Sequence, residues 1–306
     1  IWGSAYIQNE GNSIYVNDVA YEMGFRNGDR ILKFDDYEPY DFSMLQADLA
    51  RRNVRKAVVL RDNDTVDIYI DHSMIGEVLN TPNMFDLAVP FVIESISPES
   101  LNKESGLQKG DRVLQIDSTS VTYVQDSRIV LASKAGKTVE ALVCRGADTL
   151  KMDLQVDTLG RIGVAMVTPT VTRMNYSFFS AIPAGLDMTW STISGYVKDL
   201  KLVASPETKA YKSVGSFIAI GQVFPTTWSW YQFLNIVALL SIMLGVMNLL
   251  PIPALDGGHI VITLYEMVTG KKPSDKFLEI TQIIGMILLL GLMVLAFGND
   301  IGRLLR

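Results

Sequence analysis

The sequence predicts a mixed fold: two β-rich units in tandem, followed by an α-helical membrane region. Three observations predict it. A motif of glycine, aspartate and apolar residues occurs twice in the first half, its aspartates 82 residues apart at Asp29 and Asp111. The long apolar runs are concentrated in residues 232–298. Inside them, Asn248-Leu249-Leu250-Pro251-Ile252-Pro253-Ala254-Leu255-Asp256-Gly257-Gly258 sets a carboxylate, two prolines and a glycine pair among apolar neighbours. An Asp at the centre of a spanning helix costs roughly 2.5–3.5 kcal/mol on insertion scales. Broken backbone at that depth persists only where protein or a water-filled cavity satisfies it. The stretch is therefore a candidate site on physical grounds alone.

Composition narrows the function classes. At 306 residues and 48% hydrophobic content, the chain has room for about two domains. A formal net charge of −6 argues against a nucleic-acid partner. The single cysteine, Cys144, excludes an internal disulfide and a multi-cysteine metal site. The chain opens on Ile1-Trp2 and carries no signal peptide, so it is expected to be a fragment or a processed product.

The first two units are assigned to residues 1–80 and 81–160. Met23-Gly24-Phe25-Arg26-Asn27-Gly28-Asp29-Arg30-Ile31-Leu32 aligns with Ser105-Gly106-Leu107-Gln108-Lys109-Gly110-Asp111-Arg112-Val113-Leu114, and Val58-Val59-Leu60-Arg61 with Leu142-Val143-Cys144-Arg145. Alternating runs at 65–70 and 149–154 predict half-buried strands. Short helices are expected over 48–55 and 126–133. Each Gly-Asp pair predicts a tight turn feeding a buried strand. This pattern resembles bacterial PDZ domains over residues 5–72 and 86–157; a small β-rich domain of another kind with Gly-Asp turns is the plainer alternative. The resemblance implies that each copy offers a sheet edge and groove to peptide C-termini or extended peptides.

Residues 161–230 are expected to form an amphipathic segment and a glycine-bearing loop, Ser213-Val214-Gly215-Ser216-Phe217-Ile218. Over 178–203, apolar residues recur at helical spacing with Asp187, Lys198 and Asp199 among them. That pattern predicts a helix lying on the membrane surface, with a third span or a core helix as the alternatives. Residues 231–306 predict two spans, about 18 apolar residues each, at 233–250 and 280–297. The first is read as interrupted at the prolines and continuing to Val268. Trp228, Trp230 and Tyr231 supply an aromatic belt, and Lys271, Lys272 and Lys276 favour a cytoplasmic loop between the spans.

Asn-x-x-Pro-x-Pro-x-x-Asp-Gly-Gly within an apolar span resembles the second signature of the site-2 proteases, intramembrane zinc metalloproteases of the bacterial RseP type. The order of tandem PDZ-like copies, amphipathic segment, glycine-bearing loop, signature, lysine loop and a last span ending Phe297-Gly298-Asn299-Asp300 follows the same family. The resemblance implies that Asp256 is a Zn2+ ligand and that Asn248 positions substrate backbone. It further implies that Pro251 and Pro253 open the helix, and that Gly257 and Gly258 admit a neighbouring helix. His259 is read as a packed or surface histidine, and His72 as a loop residue. The family's His-Glu-x-x-His signature is absent from the chain. Its place in the family is upstream, so two zinc-binding histidines must come from outside these residues, and the chain alone is expected to be inactive. The implied activity is regulated intramembrane proteolysis of membrane-spanning proteins, of the anti-sigma-factor or signal-peptide-remnant class. The implied location is the bacterial inner membrane, multi-pass in the lipid bilayer, with the PDZ-like copies outside the cytoplasm. The competing reading is a non-catalytic, membrane-anchored scaffold that binds peptides through its tandem copies.

Overall fold

The repeated motif folds twice into the same small sheet. The computed structural model describes residues 3–206, 208 and 210–305. Strand β1 (Gly3–Ile7) comes first. The first repeat then contains β2 (Ile14–Val16), α1 (Asp18–Glu22), β3 (Arg30–Phe34), α2 (Leu45–Arg51), β4 (Lys56–Arg61), β5 (Asp64–Tyr69), α3 (Ile75–Asn80) and β6 (Phe85–Leu87). The second contains β7 (Ile93–Ile96), β8 (Arg112–Ile116), β9 (Thr119–Ser120), α4 (Val124–Ser133), β10 (Thr138–Arg145), β11 (Asp148–Gln155) and β12 (Val164–Met166). In the first, β3, β4 and β5 form an antiparallel sheet and β6 returns to pair with β2. In the second, β9, β8, β10 and β11 form the sheet and β12 returns to β7. The β3–β4 and β8–β10 pairs each shift register once, so even the bulge is repeated.

Alternation puts Ala57 and Val59 of β4, and Val139, Ala141 and Val143 of β10, into two separate cores. The first core is built on Phe25, Phe34, Leu45 and Leu49, the second on Phe91, Ile93, Ile116 and Leu154. Several boundaries differ from expectation. The first unit runs to β6, past residue 80, because the returning strand completes its pairing with β2. Helix α2 starts at Leu45 rather than 48 and stops before Asn53, whose φ of +51° is incompatible with helix. Helix α4 begins two residues early, at Val124.

The Gly-Asp turns are more than turns. Asp29 and Asp111 are buried, and each is gripped by the arginine that ends the aligned strand. Arg61 Nε and Nη2 donate to the two Asp29 oxygens at 2.7 and 2.8 Å; Arg145 does the same to Asp111 at 2.7 Å for both. Each arginine also donates to a glycine carbonyl, Gly24 or Gly106. Backbone N–H groups of Arg26 and Gln108 complete the carboxylates at 2.8 Å. Gly24, Gly28, Gly106 and Gly110 all have positive φ, which fits the turn around each aspartate.

Beyond the repeats come β13 (Val171–Asn175), α5 (Phe178–Ala204), α6 (Phe217–Val223), α7 (Trp230–Leu249), α8 (Asp256–Thr269) and α9 (Asp275–Leu304). Strand β13 pairs antiparallel with β1, tying the chain after the second repeat back to the front of the first. Helix α5 carries exposed Phe179, Ile182, Leu186 and Trp190 on its first half, while its last turn buries Leu202 in the core of the first repeat. Arg51 of α2 donates both Nε and Nη2 to Asp199 of α5 at 2.8 Å, which fixes that end of the helix to the repeat. Among the described residues, helices α7 and α9 are the two long and apolar enough to cross a membrane.

The Arg145 guanidinium, helped by the Gln108 N–H, holds the Asp111 carboxyl below its ordinary value against the opposing effect of burial. A lowered carboxylate stabilises the fold fully above its unfolded value and loses that contribution as pH falls. Thermal unfolding of the full chain is therefore expected to show an acid-labile component below about pH 3.8. Asp111→Asn should lower the melting temperature at neutral pH and flatten that acid component in calorimetry.

Candidate metal-ligand site at a broken helix

Helix α7 is apolar around its circumference and ends where Pro251 and Pro253 withdraw two backbone donors. At 20 residues it reaches about 30 Å by itself. Helix α8 is a separate helix after the break rather than a continuation of α7. The connecting backbone folds tightly. Ile252 N–H donates to Leu250 O at 2.7 Å and Leu255 N–H to Ile252 O at 3.0 Å, and Ala254 adopts a φ of +84°, a strained region for a residue with a Cβ. Helix α8 then restarts with Asp256 in its first turn, where the helix dipole favours a carboxylate.

Three glycines make this fold possible. A Cβ on Gly257 would strike the carbonyls of Leu249 and Leu250, and one on Gly258 the Ile252 carbonyl and Pro253 Cα. The glycine pair therefore accommodates the broken segment together with the end of the neighbouring helix α7. A second close approach is made by Gly285 of α9, where a Cβ would collide with the Pro253 carbonyl. Gly285 is the eleventh residue of α9, roughly 15 Å along it from Asp275. Measured along that helix, the break meets α9 within its apolar run rather than at its polar first turn.

Asn248 sits in the last turn of α7 and Asp256 in the first turn of α8, so the two flank the break. Neither side chain has a hydrogen-bond or ion-pair partner among the described residues. Asp256 is exposed and Asn248 half-buried, so both keep bonding capacity open to water or a ligand. His259 is exposed. Its i, i+3 spacing from Asp256 puts both on one side of the helix, so spacing alone gives no reason to set the imidazole aside. His72 opens a short 3-10 turn, His72–Met74, in the first repeat. Among the described residues no three His, Cys, Asp or Glu side chains cluster as a metal site. The donor set fits one ligand of an open site and not a closed one.

A second constellation was not anticipated. Asp300, only 3% exposed near the end of α9, accepts from Ser216 N at 2.8 Å, Ser216 Oγ at 2.5 Å and Ala219 N at 3.3 Å. It caps α6 from another helix. Asn299 Nδ2 donates to Tyr211 O at 2.8 Å and Val214 O at 3.0 Å, and Arg303 donates to Lys212 O at 3.1 Å. The glycine-bearing loop is thereby pinned to α9, the same helix that receives the break. An aspartate near the end of an otherwise apolar span was the available signal.

The chain belongs to peptidase family M50, whose profile matches residues 23–292. A protein of Clostridium perfringens with a zinc metalloprotease name is 33% identical over 218 residues, covering 68% of this chain and 63% of its own length. The regulator of sigma-E protease RseP of Escherichia coli is 30% identical over 226 residues, covering 70% of this chain and 50% of its own. The chain thus spans about half to under two thirds of the length of these relatives. A PDZ domain of an SdrC-like protein from Listeria monocytogenes overlaps 25% of this chain and 85% of its own, with 23% identity and a TM-score of 0.22, too slight a likeness to assign a fold.

Gly285→Ala is expected to lower the melting temperature of the detergent-solubilised chain, with an overpacking cost of about 1–3 kcal/mol. Gly291→Ala, where a Cβ meets nothing within 4 Å, should leave it unchanged. Equal behaviour of the two variants would mean that α9 does not receive the break as described.

Proposed function

We propose that this chain supplies one part of an intramembrane zinc peptidase site, with Asp256 as one ligand and two histidines contributed from outside its 306 residues. The observation that carries the reading is the partnerless Asp256 carboxylate at a helix break that packs against Gly285 of α9. Bound there, zinc supplies Lewis-acid activation of water and of a peptide carbonyl. The chain's own residues do the rest. Asn248, across the break, offers an amide able both to donate to and accept from an extended substrate backbone. Pro251 and Pro253 break the helix and so open the segment that leads to Asp256. The glycine pair and Gly285 let that segment lie flat against two helices, holding Asp256 in place.

The substrates of this reading are membrane-spanning proteins, anti-sigma factors or signal-peptide remnants, whose own helix must be opened before a peptide bond reaches the site. Lys271 and Lys272 between α8 and α9, with Lys276 in the first turn of α9, support a cytoplasmic loop in a bacterial inner membrane, with the repeats on the opposite face. The exposed apolar first half of α5 suits contact with the bilayer surface. Both repeats are read as PDZ-like, with peptide as ligand. One observation favours the scaffold alternative: a single carboxylate, with no second and third ligand beside it among the described residues.

The two readings separate in the full-length protein. Asp256→Ala and Asp256→Asn should abolish cleavage of a model membrane-spanning substrate and reduce bound zinc, while membrane insertion stays normal. Undiminished zinc and cleavage in Asp256→Ala would remove Asp256 from the ligand set and leave the scaffold reading in its place.

A further inference from the structure

The two repeats carry unequal grooves. In the second, α4 and β12 bound a cavity of about 700 Å³ with Phe91, Leu131 and Val164 among its apolar walls. Ser127, Arg128 and Arg161 also line it. Strand β12 belongs to a two-stranded sheet, so its edge away from β7 has no partner strand among the described residues. Neither the Arg128 nor the Arg161 guanidinium has an ion-pair or hydrogen-bond partner there, although the chain has 33 acidic residues to draw on.

The first repeat fills the matching space with its own chain. Gln46 occupies the α2 position that corresponds to Arg128 at the offset of 82 residues. Its amide nitrogen donates to Val78 O at 2.6 Å and Thr81 O at 2.7 Å, and its oxygen accepts from Met84 N at 3.0 Å. The segment it grips is α3 and the turn after it, and Ile75, Val78 and Met84 are fully buried in one core with Leu45 and Leu49 of α2. Leu202 and Ala210, from the membrane-side segment, join the same core.

We infer that the first repeat is a mount occupied by its own chain, and that the second alone takes a peptide, an extended acidic one. The inference rests on the PDZ-like reading and narrows it. The peptide adds a strand to β12, sets an apolar side chain against Phe91 and Leu131, and places a carboxylate at Arg128 and Arg161. That carboxylate is either a glutamate or aspartate side chain or the peptide's C-terminus; the recognition chemistry is the same.

The test uses the whole chain in detergent and fluorescein-labelled octapeptides of alternating valine and glutamate, read by anisotropy. Four forms are compared: glutamate or glutamine, each with a free or an amidated C-terminus. The glutamate, free-acid peptide is expected to bind, and the glutamine, amidated one to bind about tenfold more weakly or worse. Whichever single neutralisation weakens binding identifies the source of the carboxylate. Arg128→Glu with Arg161→Glu should cost a similar factor. Both residues are exposed, so the core is left intact, and Arg128→Gln with Arg161→Gln should fall in between. Gln46→Ala should lower the melting temperature without changing affinity. Equal binding of the acidic and fully neutral peptides would overturn the charge recognition while leaving the groove as a peptide site. Binding lost in Gln46→Ala yet kept in the double charge reversal would overturn the division between the repeats. Failure of all four peptides to bind would overturn the PDZ-like reading of the second groove together with the inference.

Discussion

Backbone lying on backbone without intervening side chains is the constraint on which the membrane half depends. The segment Leu249–Pro253 is folded between Gly257 and Gly258 on one side and Gly285 on the other, at separations no Cβ would allow. Irregular backbone in an apolar layer requires protein around it. Here the protein comes so close that the residues at the contact are reduced to glycine. The same contact sets the depth of Asp256 and the orientation of the turn that carries it. Were the glycines replaced, the break would still form at the prolines, but it would have no fixed relation to α9.

Helix α9 does a second task. Its end caps α6 through Asp300 and holds the 211–214 carbonyls through Asn299 and Arg303. One helix therefore fixes both the carboxylate-bearing break and the glycine-bearing loop. On the other side of the molecule the first repeat is joined to α5 by the Arg51–Asp199 pair and by a shared core. The chain is organised as two long apolar helices with a loop clamped to one of them, and a further long helix, α5, on whose end the first repeat is mounted.

Much of this was legible in the sequence because it rests on local chemistry. Two prolines must end α7, a repeated Gly-Asp must make a turn, and alternating residues must make strands. The aligned Arg61 and Arg145 were visible as part of the repeat, yet their grip on Asp29 and Asp111 was not, because pairing across more than thirty residues depends on sheet register. The glycine pair was read as a helix–helix contact; only the fold reveals that Gly285, with no motif around it, makes a second close approach, to the Pro253 carbonyl. Helix α3 escaped notice because the segment between β5 and β6 lacks a counterpart in the second repeat, where the aligned stretch is a shorter loop. Asp256 was legible for a different reason. A carboxylate in apolar sequence is expensive wherever it folds.

Water access to the break tests the account most directly. Cys144 would be replaced by Ser, and single cysteines placed at Asp256 or, as a lipid-facing comparison, at the exposed Leu290 of α9. Intact membranes would then be treated with a small, charged, water-soluble thiol reagent. Reaction at position 256 with protection at 290 is the predicted result, since the break must be solvated to retain a partnerless carboxylate. Protection at 256 equal to that at 290 would contradict the account, because it would leave that carboxylate in a dry apolar layer with nothing to stabilise it.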